Sequence, residues 1–201
     1  MFTECYKIKC DYLVLDKCKL GYTPRVCDIL DSKRTSPYNL TDKKAVWEKA
    51  GLDLNGVYFY GGAFSNFVGP PITLEGNLYL SVEHWFQSQK AVNPHEARKI
   101  RMQPDTWVAK RLGNRCELRS DWEDVKYEIM LRGLRVKFSH PQYKEILLGT
   151  GDKPIYEDSP VDYVWGIGAD GTGQNLLGKA LMQIREEFKE ETKKPQRHKG
   201  A

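Results

Sequence analysis

Tyr163-Val164-Trp165-Gly166-Ile167-Gly168-Ala169-Asp170-Gly171-Thr172-Gly173-Gln174-Asn175-Leu176-Leu177-Gly178 is the stretch on which the reading of this chain turns. Glycine at this density costs backbone entropy, so it belongs where φ is positive or where the main chain approaches something closely. The run behind it, about 174–190, carries Leu177, Leu181, Ile184 and Phe188 at helical spacing. A helix opening there adds its N–H groups and the positive end of its dipole to the glycine amides, a seat for phosphate. Two better-known glycine motifs do not fit. Gly166-x-Gly168-x-x-Gly171 has the letters of the dinucleotide fingerprint, but no Val/Ile-rich strand precedes it and no acidic residue closes a second strand about twenty positions on. The P-loop fails because no Gly-Lys-Ser/Thr follows. The plainer alternative is a polar turn between elements.

Working outward, helices dominate. Ser81 caps a helix to about Ala91, Asn93-Pro94 opens another, and Gln103-Pro104 opens a third that stops at Gly113. Ser120-Asp121-Trp122-Glu123 reads as a capping box for the longest helix, with Trp122, Val125, Ile129, Leu134 and Phe138 toward the core. His140-Pro141 ends it and opens a short helix through Leu148. Strands are few: Val57–Tyr60, a hairpin over Ile72–Leu80 turning at Glu75-Gly76-Asn77, and Ile155-Tyr156. Thr41 caps a helix through Ala50. The expected fold is mainly α with a few short β-strands, a compact domain over 51–190. Residues 1–50 form an accessory N-terminal extension whose first 36 residues hold one or two strands, and 191–201 a flexible basic tail.

At 201 residues, 40% hydrophobic and 29% charged, the chain has the composition of one soluble globular domain. A net charge of +4 from 31 basic and 27 acidic residues implies no broad nucleic-acid surface. Five cysteines with no Cys-x-x-Cys and no histidine pair read as reduced thiols rather than a zinc site. No apolar run is long enough for a membrane span, and Met1-Phe2-Thr3-Glu4 lacks a leader's layout, which points to a cytoplasmic protein.

The second chemical segment is Ser81-Val82-Glu83-His84-Trp85-Phe86-Gln87-Ser88-Gln89-Lys90. On a helix, Glu83, Gln87 and Lys90 fall at i, i+4 and i+7, three polar groups on one face beside aromatic walls. In an apolar cleft a carboxylate rises in pKa and an amine falls, which prepares a general base and a nucleophile. The competing reading is an ordinary solvated Glu/Gln/Lys face. His84 reads as a satisfied core group. Arg132 and Arg135, with Lys137 nearby, suit a phosphate or a solvated basic face. Phe64-Ser65-Asn66-Phe67 has the composition of a base-stacking pocket, with core packing as its rival.

Phe59-Tyr60, Phe64–Phe67, Ser81–Lys90, Trp122, Arg132-Gly133-Leu134-Arg135-x-Lys137-Phe138, the Trp165–Gly178 loop and Leu181-Met182-x-x-Arg185, in that order from about Val57 to Phe188, together resemble the YbiA-like, or NADAR, family. The resemblance implies a compact, mainly helical domain that hydrolyses an N-glycosidic bond to a phosphorylated or ADP-linked ribose. Some members act on riboflavin intermediates, 5-amino-6-(5-phosphoribosylamino)uracil and its precursor; others remove ADP-ribose from guanine in nucleic acid, as antitoxins. It places the family's functional residues on Glu83, Lys90 and Asp162, and departs from related sequences at Ile167, where a polar or acidic residue is common.

The combined expectation is an N-glycosidase with Glu83, Lys90 and Asp162 catalytic. Tyr60, Phe64, Ser65, Asn66, Phe67, Trp122 and Trp165 would hold the base. Arg132, Arg135, Gly166, Gly168, Gly171, Gly173 and Asn175 would hold phosphate or ribose. No metal or cofactor is called for, and the partner is a phosphorylated ribosyl or ADP-ribosyl substrate, including ADP-ribosylated nucleic acid. The alternative is a non-catalytic module that binds ADP-ribose or a nucleotide, with residues 1–50 docking a partner.

Overall fold

The computed structural model describes residues 40–193 together with two short strands, β1 (Leu13–Val14) and β2 (Lys17–Cys18), which pair antiparallel. The rest of the extension, with Cys5, Cys10 and Cys27, and the tail beyond Lys193 lie outside the described residues. Cys116 is a free thiol.

Seven helices carry the described chain: α1 (Leu40–Lys49), α2 (Val82–Ser88), α3 (Pro94–Arg101), α4 (Thr106–Gly113), α5 (Trp122–Ser139), α6 (Pro141–Leu148) and α7 (Leu176–Lys193). None is long and apolar enough to cross a membrane. The remaining strands, β3 (Val57–Phe59), β4 (Ile72–Leu74), β5 (Asn77–Tyr79) and β6 (Ile155–Glu157), are three residues each. The chain is thus mainly α, because its long apolar periodicities are helical and its β-prone runs are too short for more than paired strands.

The apolar stripes of α5 and α7 meet in one core, where Leu134, Phe138, Leu181 and Ile184 are fully buried. α2 runs through that core, and all seven of its residues are buried. It is admitted by Gly133 of α5, where a β-carbon would sit 2.7 Å from the Trp85 ring. Trp85 donates its indole N–H to the Ile129 carbonyl (2.8 Å), so even its polar atom is satisfied.

Several element boundaries differ from the expectation, each for a local reason. The hairpin closes on two residues, Glu75 (φ 52°) and Gly76 (φ 73°), while Asn77 already belongs to β5. The third helix starts at Thr106, because Asp105 caps it by accepting from the Val108 N–H (3.0 Å). The capping box of α5 does not form. Asp121 stands before the helix, and both its carboxylate oxygens accept from the Arg119 guanidinium (2.5 and 2.8 Å).

β3 and β6 pair in parallel with Phe59 opposite Glu157, joining segments about a hundred residues apart. α1 packs on this pair: Trp47 stacks on Tyr58 (3.7 Å between centroids) and Lys43 pairs with Asp158. Residues 40–50, placed by sequence in the extension, therefore share contacts with the main body.

Candidate active site

A cavity of about 260 Å³ opens between α2, α4, α5 and the segment from β6 to Trp165. α2 contributes Glu83, Phe86 and Gln87, with Lys90 just past its end; α4 contributes Lys110, with Asn114 beyond it. Ser65, Asn66 and Phe67 line it from one side, Met130 from α5, and Glu157, Asp162 and Trp165 from the other. Three carboxylates and two lysines thus share one small space.

Glu83 is 5% exposed, which overturns the solvated-face reading of α2. Ser81 caps the helix by accepting from the His84 N–H (3.4 Å), and the Glu83 N–H donates to Asn66 O (3.0 Å). Glu83 Oε1 accepts from Gln87 Nε2 at 2.8 Å, and Gln87 fits only because residue 113 is glycine. Burial pushes the Glu83 pKa up; Lys110, the Gln87 hydrogen bond and Lys90 pull it back.

Lys90 reaches the cavity by a different route from the helical spacing expected of it. α2 ends at Ser88, and Lys90 follows the αR C-cap Gln89 with its N–H donating to Gln87 O (3.3 Å). Nζ donates to Asn114 Oδ1 (3.1 Å) and stands 5.5 and 5.6 Å from the ring centroids of Phe86 and Trp122. Burial lowers its pKa, with Glu83 the largest opposing influence. Asp162 is fixed by a turn in which Oδ1 accepts from the N–H groups of Val164 (3.0 Å) and Trp165 (2.7 Å).

Sequence reasoning passed over Glu157. It keeps partial exposure as a residue, yet its Oε2 is shut off from solvent with no hydrogen-bond partner. Burial, then the Asp162 and Glu83 charges, push its pKa up to about 8, against the pull of Lys110. Its backbone is held on both sides, the N–H by Asn175 Oδ1 (3.0 Å) and the carbonyl by the Ile167 N–H (2.9 Å). The only available signal was an acid closing a short apolar strand five positions before Asp162. Lys110 and Asn114 were missed as well, because basic and amide residues at a helix end ordinarily face solvent.

Trp165 brings the loop to the cavity, but the loop's glycines lie elsewhere. None of Gly166, Gly168, Gly171 and Gly173 lines the cavity. A β-carbon at Gly173 would meet the Gly166 carbonyl at 2.4 Å, and Gly168 (φ 72°) lies under the Tyr163 ring. Four amides of this stretch are spent within the loop: Gly173 N–H on Ile167 O, Asn175 on Gly166 O, Leu176 on Val164 O and Leu177 on Trp165 O. The first two amides of α7 are thus held by its own loop. Asn175 (φ 53°) also gives Nδ2 to Ile155 O (2.8 Å), so it ties β6 down rather than facing a ligand.

Five further expected ligand residues fall outside the cavity lining. Tyr60 is exposed, and Phe64 is buried between Phe59 and Phe138. Trp122 backs the cavity through Phe86 (4.9 Å between centroids). Arg132 pairs with Glu75 (2.6 Å), and Arg135 makes a two-point pair with Glu187 (2.9 Å each) plus one with Glu128. Lys137 is buried, donating to Ser65 O (2.6 Å) and Val68 O (2.5 Å), so it braces the 65–68 wall instead of binding phosphate. His84 is satisfied by Ser81 Oγ (2.8 Å) and Gln103 O (3.0 Å), as expected of a core histidine. Among the described residues no group of three His, Cys, Asp or Glu is placed to hold a metal ion.

A small, mainly helical domain with an acid-and-lysine cavity is the class this geometry defines. The NADAR domain matches residues 58–189, and the chain belongs to that family. N-glycosidase YbiA of Shigella flexneri is 40% identical over 130 residues, covering 63% of this chain and 81% of the relative. An N-glycosidase of Nostoc punctiforme is 38% identical, covering 66% and 92%. The NMR structure of Escherichia coli YbiA superimposes with a TM-score of 0.67 at 34% identity, over 74% of this chain and 94% of that one.

Proposed function

We propose that this cavity hydrolyses the N-glycosidic bond between a heterocyclic base and a phosphorylated ribose. The chain is a hydrolase acting on N-glycosyl bonds, in keeping with relatives named N-glycosidase, and that favours turnover over the binding-only reading. A riboflavin biosynthesis protein of Vibrio vulnificus, 37% identical over 67% of this chain and 39% of its own length, supports a riboflavin intermediate as one candidate substrate. ADP-ribose on guanine in nucleic acid is the other.

The observation that carries the reading is the meeting of Glu83, Asp162, Glu157 and Lys90 in one cavity. Cleaving the C–N bond sends its electron pair to the base nitrogen, which needs a proton, and leaves positive charge on the ribose. Glu157, held protonated near neutral pH by burial, is placed to supply that proton. Asp162 and Glu83 face the charge that develops at the anomeric carbon, and Glu83, whose affinity for a proton burial raises, takes a proton from the attacking water. A second route uses Lys90: an amine whose charge is disfavoured by burial can add to C1′ of a ring-opened ribosylamine. The C1′–N bond to the base then breaks, the base leaves as a protonated amine, and the resulting Schiff base on Lys90 is hydrolysed by water to free lysine and the ribose aldehyde. Neither route calls for a metal.

The test is incubation of the protein with phosphoribosylaminouracil and with ADP-ribosylated guanosine DNA, with mass spectrometry of released base and released ribosyl phosphate. Cleavage of one names the substrate; cleavage of neither overturns the proposal. Borohydride added during turnover separates the routes, since a Schiff base leaves a reduced ribosyl adduct on Lys90 and water attack leaves none.

A further inference from the structure

Resting on that reading, we infer that the rim formed by Trp107, Phe67 and Lys110 is a second binding subsite, which takes an aromatic heterocycle joined through phosphate to the ribose in the cavity. Trp107, Lys110 and Asn114 fall at i, i+3 and i+7 and lie along one face of α4 and its extension. Lys110 and Asn114 line the cavity, and Trp107, one turn earlier, carries the same line outward. Phe67, a cavity wall, packs against Trp107 with centroids 4.7 Å apart. The cavity wall therefore continues without a break onto an exposed aromatic surface.

Two properties point to what that surface takes. Trp107 is 63% exposed, which leaves a large π-face in water whose ring contacts among the described residues are to Phe67 and Lys110. The Lys110 ammonium stands 5.3 Å from the Phe67 centroid and 5.9 Å from that of Trp107, a positive charge between the cavity and the exposed ring. A heterocycle tethered by phosphate matches this order: ribose inside, anionic link at Lys110, ring on Trp107. The size of the cavity agrees. About 260 Å³ falls below the roughly 300–1,000 Å³ of a pocket that encloses a whole drug-sized ligand, so a dinucleotide-sized substrate must lie partly outside.

Binding separates this inference from the reading beneath it. The affinities of wild type, Trp107→Ala and Trp107→Phe are measured by calorimetry for ribose 5-phosphate, ADP-ribose and a short single-stranded oligodeoxynucleotide. Wild type is expected to prefer at least one ring-bearing probe over ribose 5-phosphate. Trp107→Ala should weaken that probe by about 5- to 100-fold, the usual effect of removing a base-stacking aromatic, and leave ribose 5-phosphate within twofold. Trp107→Phe should keep most of the affinity, which excludes simple misfolding. Loss with ADP-ribose assigns the ring to the substrate's own adenine; loss with the oligonucleotide assigns it to a flanking base. No preference in wild type, or equal weakening of ribose 5-phosphate and both ring-bearing probes in Trp107→Ala, overturns the subsite. Failure to cleave any N-glycoside would instead strike the proposed function and leave a measured stacking effect standing.

Discussion

The loop 163–178 and the segment 81–90 carry equally strong sequence signals, yet the structure uses them in opposite ways. In the first, small residues let backbone meet backbone: Gly173 lies against Gly166 O and Gly178 against Ile155 O. In the second, polar side chains are buried beside a cavity, and loss of water pushes the Glu83 pKa up and the Lys90 pKa down even though each keeps a hydrogen-bond partner. A glycine cluster and a polar cluster both depart from ordinary composition, but only a buried ionisable group stores a chemical bias. Apart from Trp165, which lines the cavity, the loop meets it indirectly, through the Asp162 turn and the clamp on Glu157.

The largest effect that bears on this contrast is expected at Glu83. Glu83→Gln is nearly isosteric and keeps an acceptor for Gln87, so the fold should hold while turnover falls about 10²–10⁴-fold. A rate within threefold of wild type at unchanged melting temperature would make Glu83 as structural as the glycines. For the loop, Gly178→Ala places a β-carbon 2.1 Å from Ile155 O. Alanine's helix preference gains about 1 kcal/mol; overpacking against immovable backbone costs about 1–3 kcal/mol. The net should be a lower melting temperature with equal loss for phosphorylated and phosphate-free ligands. Selective loss of the phosphorylated ligand would restore the loop as a phosphate seat.

A smaller effect concerns pH. Glu157, raised to about 8 in the free protein, must be protonated to act as an acid, so kcat/KM should fall as pH rises through about 8. The same sign applies to stability. Its folded-state pKa lies above the unfolded one, so the contribution is fully present below about pH 4.5 and is lost as pH climbs through 8. Glu157→Gln should remove the alkaline limb of the rate profile; an unmoved limb would assign it to another group. The smallest effect is expected at Arg135. Arg135→Ala breaks partly exposed pairs with Glu187 and Glu128, at a cost of about 0–1 kcal/mol, and should leave substrate affinity unchanged on thermal and kinetic assay. A tenfold rise in KM would return that arginine to the binding site.

Helical content, the short hairpin, the apolar stripes of α5 and α7 and the core role of His84 were legible in the sequence, because periodicity and caps act within a turn or two of chain. Glu83, Lys90 and Asp162 were legible as chemical types. Which groups meet was set by packing across the fold. Glu157 enters the cavity because β6 pairs with β3, about a hundred residues away, and because Asn175 pins it there. Arg132 and Arg135 leave it because α5 turns them toward Glu75 and Glu187. The glycines turn inward because their partners, Tyr163 and Ile155, are set by packing rather than by spacing. Local rules determine which groups a chain offers; burial and long-range pairing determine which of them lose water, and with it their ordinary pKa.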